Sequence, residues 1–194
     1  MIKKWIISFI IPISIFASHF NPLPEAYTIQ VGTKDAPSTI VEYFSLSCPL
    51  CLQMIKKEFK EIHEKYVETG KVFWIFHPDP QDITTLQFMM CLEKLPQSKK
   101  WPFFWEIIKA VKPTSPGRSC FLMQELLKRY DVSIPLLHDI NFLEKSAAYK
   151  EAFTYLNQPG IPEELPFIEK DGNKIKGLPN KELIDEIFIQ GGAQ

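Results

Sequence analysis

Thr39-Ile40-Val41-Glu42-Tyr43-Phe44-Ser45-Leu46-Ser47-Cys48-Pro49-Leu50-Cys51 is the stretch on which the fold turns. Its first six residues are β-branched or aromatic with little polar alternation, as in a central strand covered on both faces. Glu42 is the exception, an acid inside an apolar run. The segment Ser45 to Ser47 leads directly into two cysteines separated by two residues. Behind them Leu52, Ile55, Phe59, Ile62 and Tyr66 recur at three- and four-residue steps, the apolar stripe of a helix whose other face carries Lys56, Lys57, Lys60, Glu61, Glu64 and Lys65. Both cysteines therefore belong to a strand-to-helix junction, and Pro49 suits a first helical turn, where its missing N–H costs nothing.

Working outward, Gly70 ends the helix and Val72 to Phe76 supplies a second apolar strand. On the N-terminal side Tyr27-Thr28-Ile29-Gln30-Val31 reads as a short strand closed by Gly32. Between Pro80 and Pro159 strand patterns give way to helical ones, centred on Leu86 to Leu95, Phe103 to Val111, Phe121 to Tyr130 and Ile140 to Leu156. Then Pro166-Phe167-Ile168-Glu169 is a strand, Lys170 to Asn173 a hairpin turn, Lys174-Ile175-Lys176 its partner, and Lys181 to Ile189 a closing amphipathic helix. The order is α/β, interrupted once by a block of helices. It predicts one domain from 25–79 and 160–194 and an all-helical insertion from 80–159.

The first 18 residues have a different character. A basic start, Met1-Ile2-Lys3-Lys4, precedes an apolar run from Trp5 to Phe16 and the small residues Ala17 and Ser18. This is the pattern of a signal peptide. The run falls short of the roughly 20 residues of a standard spanning helix and contains Pro12, so cleavage is the expectation and an uncleaved anchor the alternative. Either outcome exports the remainder, and in an oxidising compartment an even number of cysteines, here 4, is expected to be bonded or redox-active.

With 194 residues the chain can bury a full core and does not need disulfides merely to fold. An apolar fraction of 45% and a charged fraction of 23% are close to globular averages and suggest neither a disordered chain nor a polytopic membrane protein. A net charge of -1 offers no footprint for nucleic acid.

At a helix N-terminus, unpaired N–H groups and the helix dipole stabilise a thiolate on the first sulfur of a Cys-x-x-Cys pair. Cys48 occupies that place. Cys51, one turn further in, is the resolving thiol that closes the disulfide or releases a mixed one. A zinc half-site, a purely structural bridge and two coincidental core cysteines compete with this reading. Zinc wants a second closely spaced pair, which Cys91 and Cys120 do not supply, and His63, His77 and His138 are not spaced as metal ligands. Cys91 and Cys120 are expected to form a structural disulfide across the insertion, with two free buried thiols as the other reading. The aromatic run Trp101, Phe103, Phe104 and Trp105 is expected in the core or at the subdomain interface.

From Val31-Gly32-Thr33-Lys34-Asp35-Ala36-Pro37 through Glu42-Tyr43-Phe44-Ser45 to Cys48-Pro49-Leu50-Cys51, and again from Leu165-Pro166-Phe167-Ile168 to Gly177, the chain resembles the DsbA-like thiol-disulfide oxidoreductases of bacterial periplasms. The resemblance implies a thioredoxin-like fold with an inserted helical subdomain, Cys48 as nucleophile, Cys51 as resolving cysteine and Glu42 as an acid beneath the site. For Glu42 the alternative is a strand-edge acid that reaches solvent. It further implies a cis-proline opposite the disulfide, for which Pro166 fits and Pro162 is second choice, with Pro49, Leu50 and Leu165 facing the substrate. Clients would be unfolded or reduced exported proteins, and a membrane redox partner would reoxidise a monomeric enzyme that needs no cofactor. Two positions depart from the family. Leu50 stands where strongly oxidising members carry histidine, and Leu165 where threonine or valine is common, so a weaker oxidant with a narrower choice of partners is expected. The competing functions are a reductase or isomerase of the same fold and a metal or protein chaperone, for which Met54 is a weak extra ligand.

Overall fold

Ser38–Phe44 forms β2, the middle strand of a five-stranded sheet. The computed structural model describes residues 21–111, 116–134, 137–175 and 177–190. The expected leader, 1–18, lies outside them, as does Lys176. Strands β1 (Ile29–Val31), β3 (Val72–Pro78), β4 (Phe167–Lys170) and β5 (Asn173–Ile175) complete a sheet of order β1-β3-β2-β4-β5. Only β2 and β3 run parallel. Their crossover is α1 (Pro49–Ile62), continued by a π-helical turn at His63–Val67.

The expected central strand is buried because neighbours flank it on both sides, and its alternation sorts the side chains by face. Ile40, Glu42 and Phe44 lie on the face of Trp74 and Phe76, against Phe59 of α1 and Phe104 of α3 (Gln97–Ala110). Tyr43 lies on the other face, with its ring 4.6 Å from that of His77. The His77 ring in turn lies tilted against that of Tyr155 of α6 (Ala147–Leu156), 5.2 Å between centroids. Trp101 and Phe104 sit inside the aromatic core against Phe76, as expected for that run.

Between β3 and β4 the described residues are helical: α2 (Ile83–Lys94), α3, α4 (Pro116–Lys128), α5 (Ile140–Glu144) and α6. The single helix expected over Ile140 to Leu156 is two. Ser146 breaks it, because its Oγ accepts from the Tyr149 N–H and caps α6. The N-terminal strand is also shorter than its pattern, since Glu25–Tyr27 coil into a 3-10 turn whose carbonyls take hydrogen bonds from the buried Lys100 ammonium. In the β4–β5 hairpin both turn residues, Asp171 and Gly172, adopt positive φ (50° and 78°), the backbone that a two-residue connection of twisted strands demands. The last helix, α7 (Lys181–Gln190), is tied to α1 and the turn after it, because Asp185 accepts from Tyr66 and Lys65.

One expected bond is absent. Cys91 and Cys120, on the packed helices α2 and α4, are free thiols and fully buried. The Cys91 Sγ–H donates to the Gln87 carbonyl one turn back, so the sulfur fills the core as a small apolar group with its donor satisfied. No described helix is long and apolar enough to cross a membrane.

Candidate active site

Cys48 is the N-cap of α1, with Pro49 in the first turn, and the helix carries no acid there. Cys48 and Cys51 are joined by a disulfide. The two sulfurs differ in access, Cys48 being half-buried and Cys51 0% exposed. The Cys51 N–H donates to Cys48 Sγ at 3.1 Å, the bond that would hold negative charge on that sulfur after reduction.

Opposite the disulfide, the Leu165–Pro166 peptide bond is cis. It brings the Leu165 carbonyl oxygen to 3.8 Å from Cys48 Sγ, across 117 residues of chain. Leu165 is partly exposed and Pro166 buried. Beside them a groove of about 520 Å³ runs between Leu50, Leu165, Pro166, Phe167 and Leu178, with Glu164 at its edge. Leu50 is 39% exposed, an apolar surface where a polar group could have sat. Leu50 and Leu165 thus line one groove, the Leu165 carbonyl meets the reachable sulfur, and Pro49 follows Cys48 in the first turn of α1.

Glu42 lies on the α1 face of the sheet and is 2% exposed, so the reading of a carboxylate reaching solvent does not hold. Its Oε2 accepts from the Trp74 indole N–H at 3.2 Å. Burial pushes the Glu42 carboxyl up to about 8, against the opposing effect of that hydrogen bond.

Two partners of these residues escaped the sequence reading. Trp74 sits in an apolar strand, where nothing marks its indole as a partner for Glu42. Asp82 is the N-cap of α2, a position that the sequence Asp82-Ile83-Thr84-Thr85 signals in principle. Its carboxylate also receives Ser45 and Ser47 from the loop before Cys48. The histidines play other parts. His77 is buried, accepts from the Leu23 N–H and is held neutral by burial, its pKa lowered to about 3. His63 stacks on Trp101, and among the described residues no group of three or more His, Cys, Asp and Glu side chains could hold a metal.

Comparisons with known proteins agree with this geometry. Residues 25–130 match the family model described as Thioredoxin. A protein of Rickettsia bellii (strain RML369-C), provisionally named a protein-disulfide oxidoreductase, is 38% identical over 45 residues, which are 23% of this chain and 17% of that protein. The match thus spans about a sixth of the relative's length. Among solved structures, oxidised BdbD from Bacillus subtilis superposes with a TM-score of 0.69 over 89% of this chain and 97% of its own, at 19% identity. Wolbachia pipientis alpha-DsbA1 gives 0.64 over 87% and 92%, at 22% identity. At such identities the likeness is one of fold, and the fold is DsbA-like.

Proposed function

The chain belongs to the thioredoxin family, and from that premise we propose that it is a thiol-disulfide oxidoreductase that introduces disulfides into exported proteins. One observation carries the reading. A disulfide at a helix N-terminus exposes one sulfur beside a cis-proline backbone and buries the other.

The chemistry follows from that asymmetry. A client thiolate attacks Cys48 Sγ, the Cys48–Cys51 bond breaks, and Cys51 leaves with the electron pair. Cys51 then takes a proton, and we assign its delivery to Glu42, a carboxyl that burial keeps protonated near neutral pH. A second client thiolate attacks the client sulfur of the mixed disulfide, and Cys48 departs as a thiolate supported by the Cys51 N–H and the helix N-terminus. The client gives two electrons to the cysteine pair and its two thiol protons to solvent, from which Glu42 regains the proton it passed to Cys51, and a redox partner, expected in the membrane, later removes the electrons. Pro166 with Leu165 supplies an edge of backbone for an extended client segment, and Leu50 with Pro49 an apolar rim.

Leu50 weakens the oxidant. It gives the Cys48 thiolate neither a hydrogen bond nor charge, and each 1.4 kcal/mol less stabilisation of the reduced pair lowers a two-electron potential by about 30 mV. A monomer working in the periplasm, after export by residues 1–18, fits this reading. The deciding measurement is the reduction potential of the Cys48/Cys51 pair, run beside oxidative refolding of a reduced client and reduction of insulin. We expect refolding to be accelerated and a potential more positive than about −270 mV, the value of a reducing thioredoxin. A potential at or below that value, with fast insulin reduction, would reverse the direction.

A further inference from the structure

We propose that Asp82, a residue of the helical insertion, is a positioning residue for Cys48, clamping the loop that delivers this cysteine to its helix. The inference deepens the reading of Cys48 as nucleophile and rests on it.

The carboxylate of Asp82 is saturated. Its Oδ2 accepts from the Ser45 hydroxyl at 2.6 Å and the Thr85 hydroxyl at 2.6 Å, and its Oδ1 accepts from the Ser47 hydroxyl at 2.7 Å and the Thr85 N–H at 3.0 Å. Because an ionised carboxylate only accepts, it fixes the direction of all three hydroxyl protons. That direction leaves a lone pair of each of two hydroxyls for the loop backbone. Ser45 Oγ accepts from the Ser47 N–H at 2.9 Å, and Thr85 Oγ1 accepts from the Leu46 N–H at 2.9 Å. Every residue of the loop is thereby held, and the Cys48 N–H closes the turn on the Ser45 carbonyl at 3.2 Å. Capping α2 requires only the contact with the Thr85 N–H. The bonds to Ser45 and Ser47 reach 37 and 35 residues back along the chain, to the segment that enters the nucleophile.

The stated role gives a sign that simpler roles do not. A negative charge acting on Cys48 through space would disfavour its thiolate, so removing it would lower the thiol pKa. A clamp that keeps Cys48 Sγ aligned with the Cys51 N–H favours the thiolate, so removing it raises the pKa. A helix cap with no further part would change stability alone.

The test uses the full chain, reduced, with iodoacetamide alkylation of Cys48 followed against pH in wild type, Asp82→Asn and Asp82→Ala, together with thermal melting. Asparagine keeps a capping oxygen but turns an amide donor toward at least one of the hydroxyls, so it separates clamp from cap. We expect both variants to raise the alkylation midpoint by roughly half a pH unit, a loss of about threefold in thiolate at pH values below it. Only Asp82→Ala should lower the melting temperature markedly. An unchanged or lowered midpoint would overturn the proposal. Should either variant fail to fold, Ser47→Ala removes one donor, leaves the cap intact and must shift the midpoint in the same direction, and its failure to do so would also overturn the clamp. Alkylation does not depend on client oxidation. A wild-type chain inert in refolding whose midpoint still rises in Asp82→Asn would refute the proposed function and leave the clamp standing.

Discussion

Two pairs of cysteines sit in one molecule under opposite conditions. Cys48 and Cys51 open a helix at a strand end, one sulfur half-buried and the other at its back, and they are bonded. Cys91 and Cys120 lie inside the helical insertion, both fully buried and both free. Burial pushes both of these thiols up, and for Cys91 the nearby Cys120 sulfur adds to the effect. The same side chain is a reactive sulfur in one setting and a small apolar filler in the other. What separates them is access and a stabilised anion, since exchange proceeds through the thiolate.

The largest effect that could break this contrast comes from the first pair. Cys48→Ser should reduce disulfide exchange to background. Cys51→Ser should instead trap disulfide-bearing clients on Cys48, visible on non-reducing gels, because the Cys48 thiolate opens a client disulfide, the second client sulfur leaves as a thiolate, and no resolving thiol remains to release the mixed disulfide. A Cys48→Ser protein that still oxidises clients would move the chemistry elsewhere, and the insertion pair would be the place to look. The second pair answers to labelling. After mild reduction of the native chain, alkylation should modify Cys48 quickly and leave Cys91 and Cys120 unmodified until the protein is unfolded, as read by mass spectrometry. A bonded Cys91–Cys120 pair in protein purified without reductant would show that the insertion is cross-linked after all. Cys91→Ala and Cys120→Ala should each cost about 1 kcal/mol by loss of buried volume, measured by denaturant melts, and leave the reduction potential unmoved.

Glu42 sharpens the contrast through pH. Its folded-state pKa, about 8, lies above the ordinary carboxylate value, so its contribution to stability is complete below about pH 4.5 and is lost as pH rises toward 8. Glu42→Gln should therefore flatten the fall in stability across that window and stabilise the fold at neutral pH, while slowing the proton-dependent step at Cys51. His77 works in the other direction. Its pKa is lowered to about 3 by burial, so its contribution is complete above about pH 6.5 and is lost as pH falls toward 3. The smallest expected change is that of Trp74→Phe, which removes the indole donor from Glu42 and keeps an aromatic ring. The Glu42 midpoint should rise by about one pH unit, seen as a displaced pH profile of exchange.

Several features were legible along the chain because their causes are local. The helix after Cys51 follows from a three- and four-residue apolar step, β2 from its β-branched run, and the hairpin from Asp171-Gly172. Position in a helix is a local property too, so the asymmetry of Cys48 and Cys51 could be read from spacing alone. The break at Ser146 was missed although its cause is also local, because a periodic apolar pattern can continue across a cap.

What the tertiary structure decided depends on contacts between distant positions. Leu165 meets Cys48 across 117 residues, Trp74 finds Glu42 across 32, and Asp82 gathers Ser45 and Ser47 from 37 and 35 residues away. Sequence spacing carries no information about such partners, because a hydrogen bond is made by proximity in space and direction of approach. By itself the sequence determined that a redox pair stands at a helix start in a thioredoxin-like chain. Folding decided which carbonyl meets Cys48, which indole meets Glu42 and which acid gathers the loop before the pair, and it left the second pair of thiols unbonded in the core.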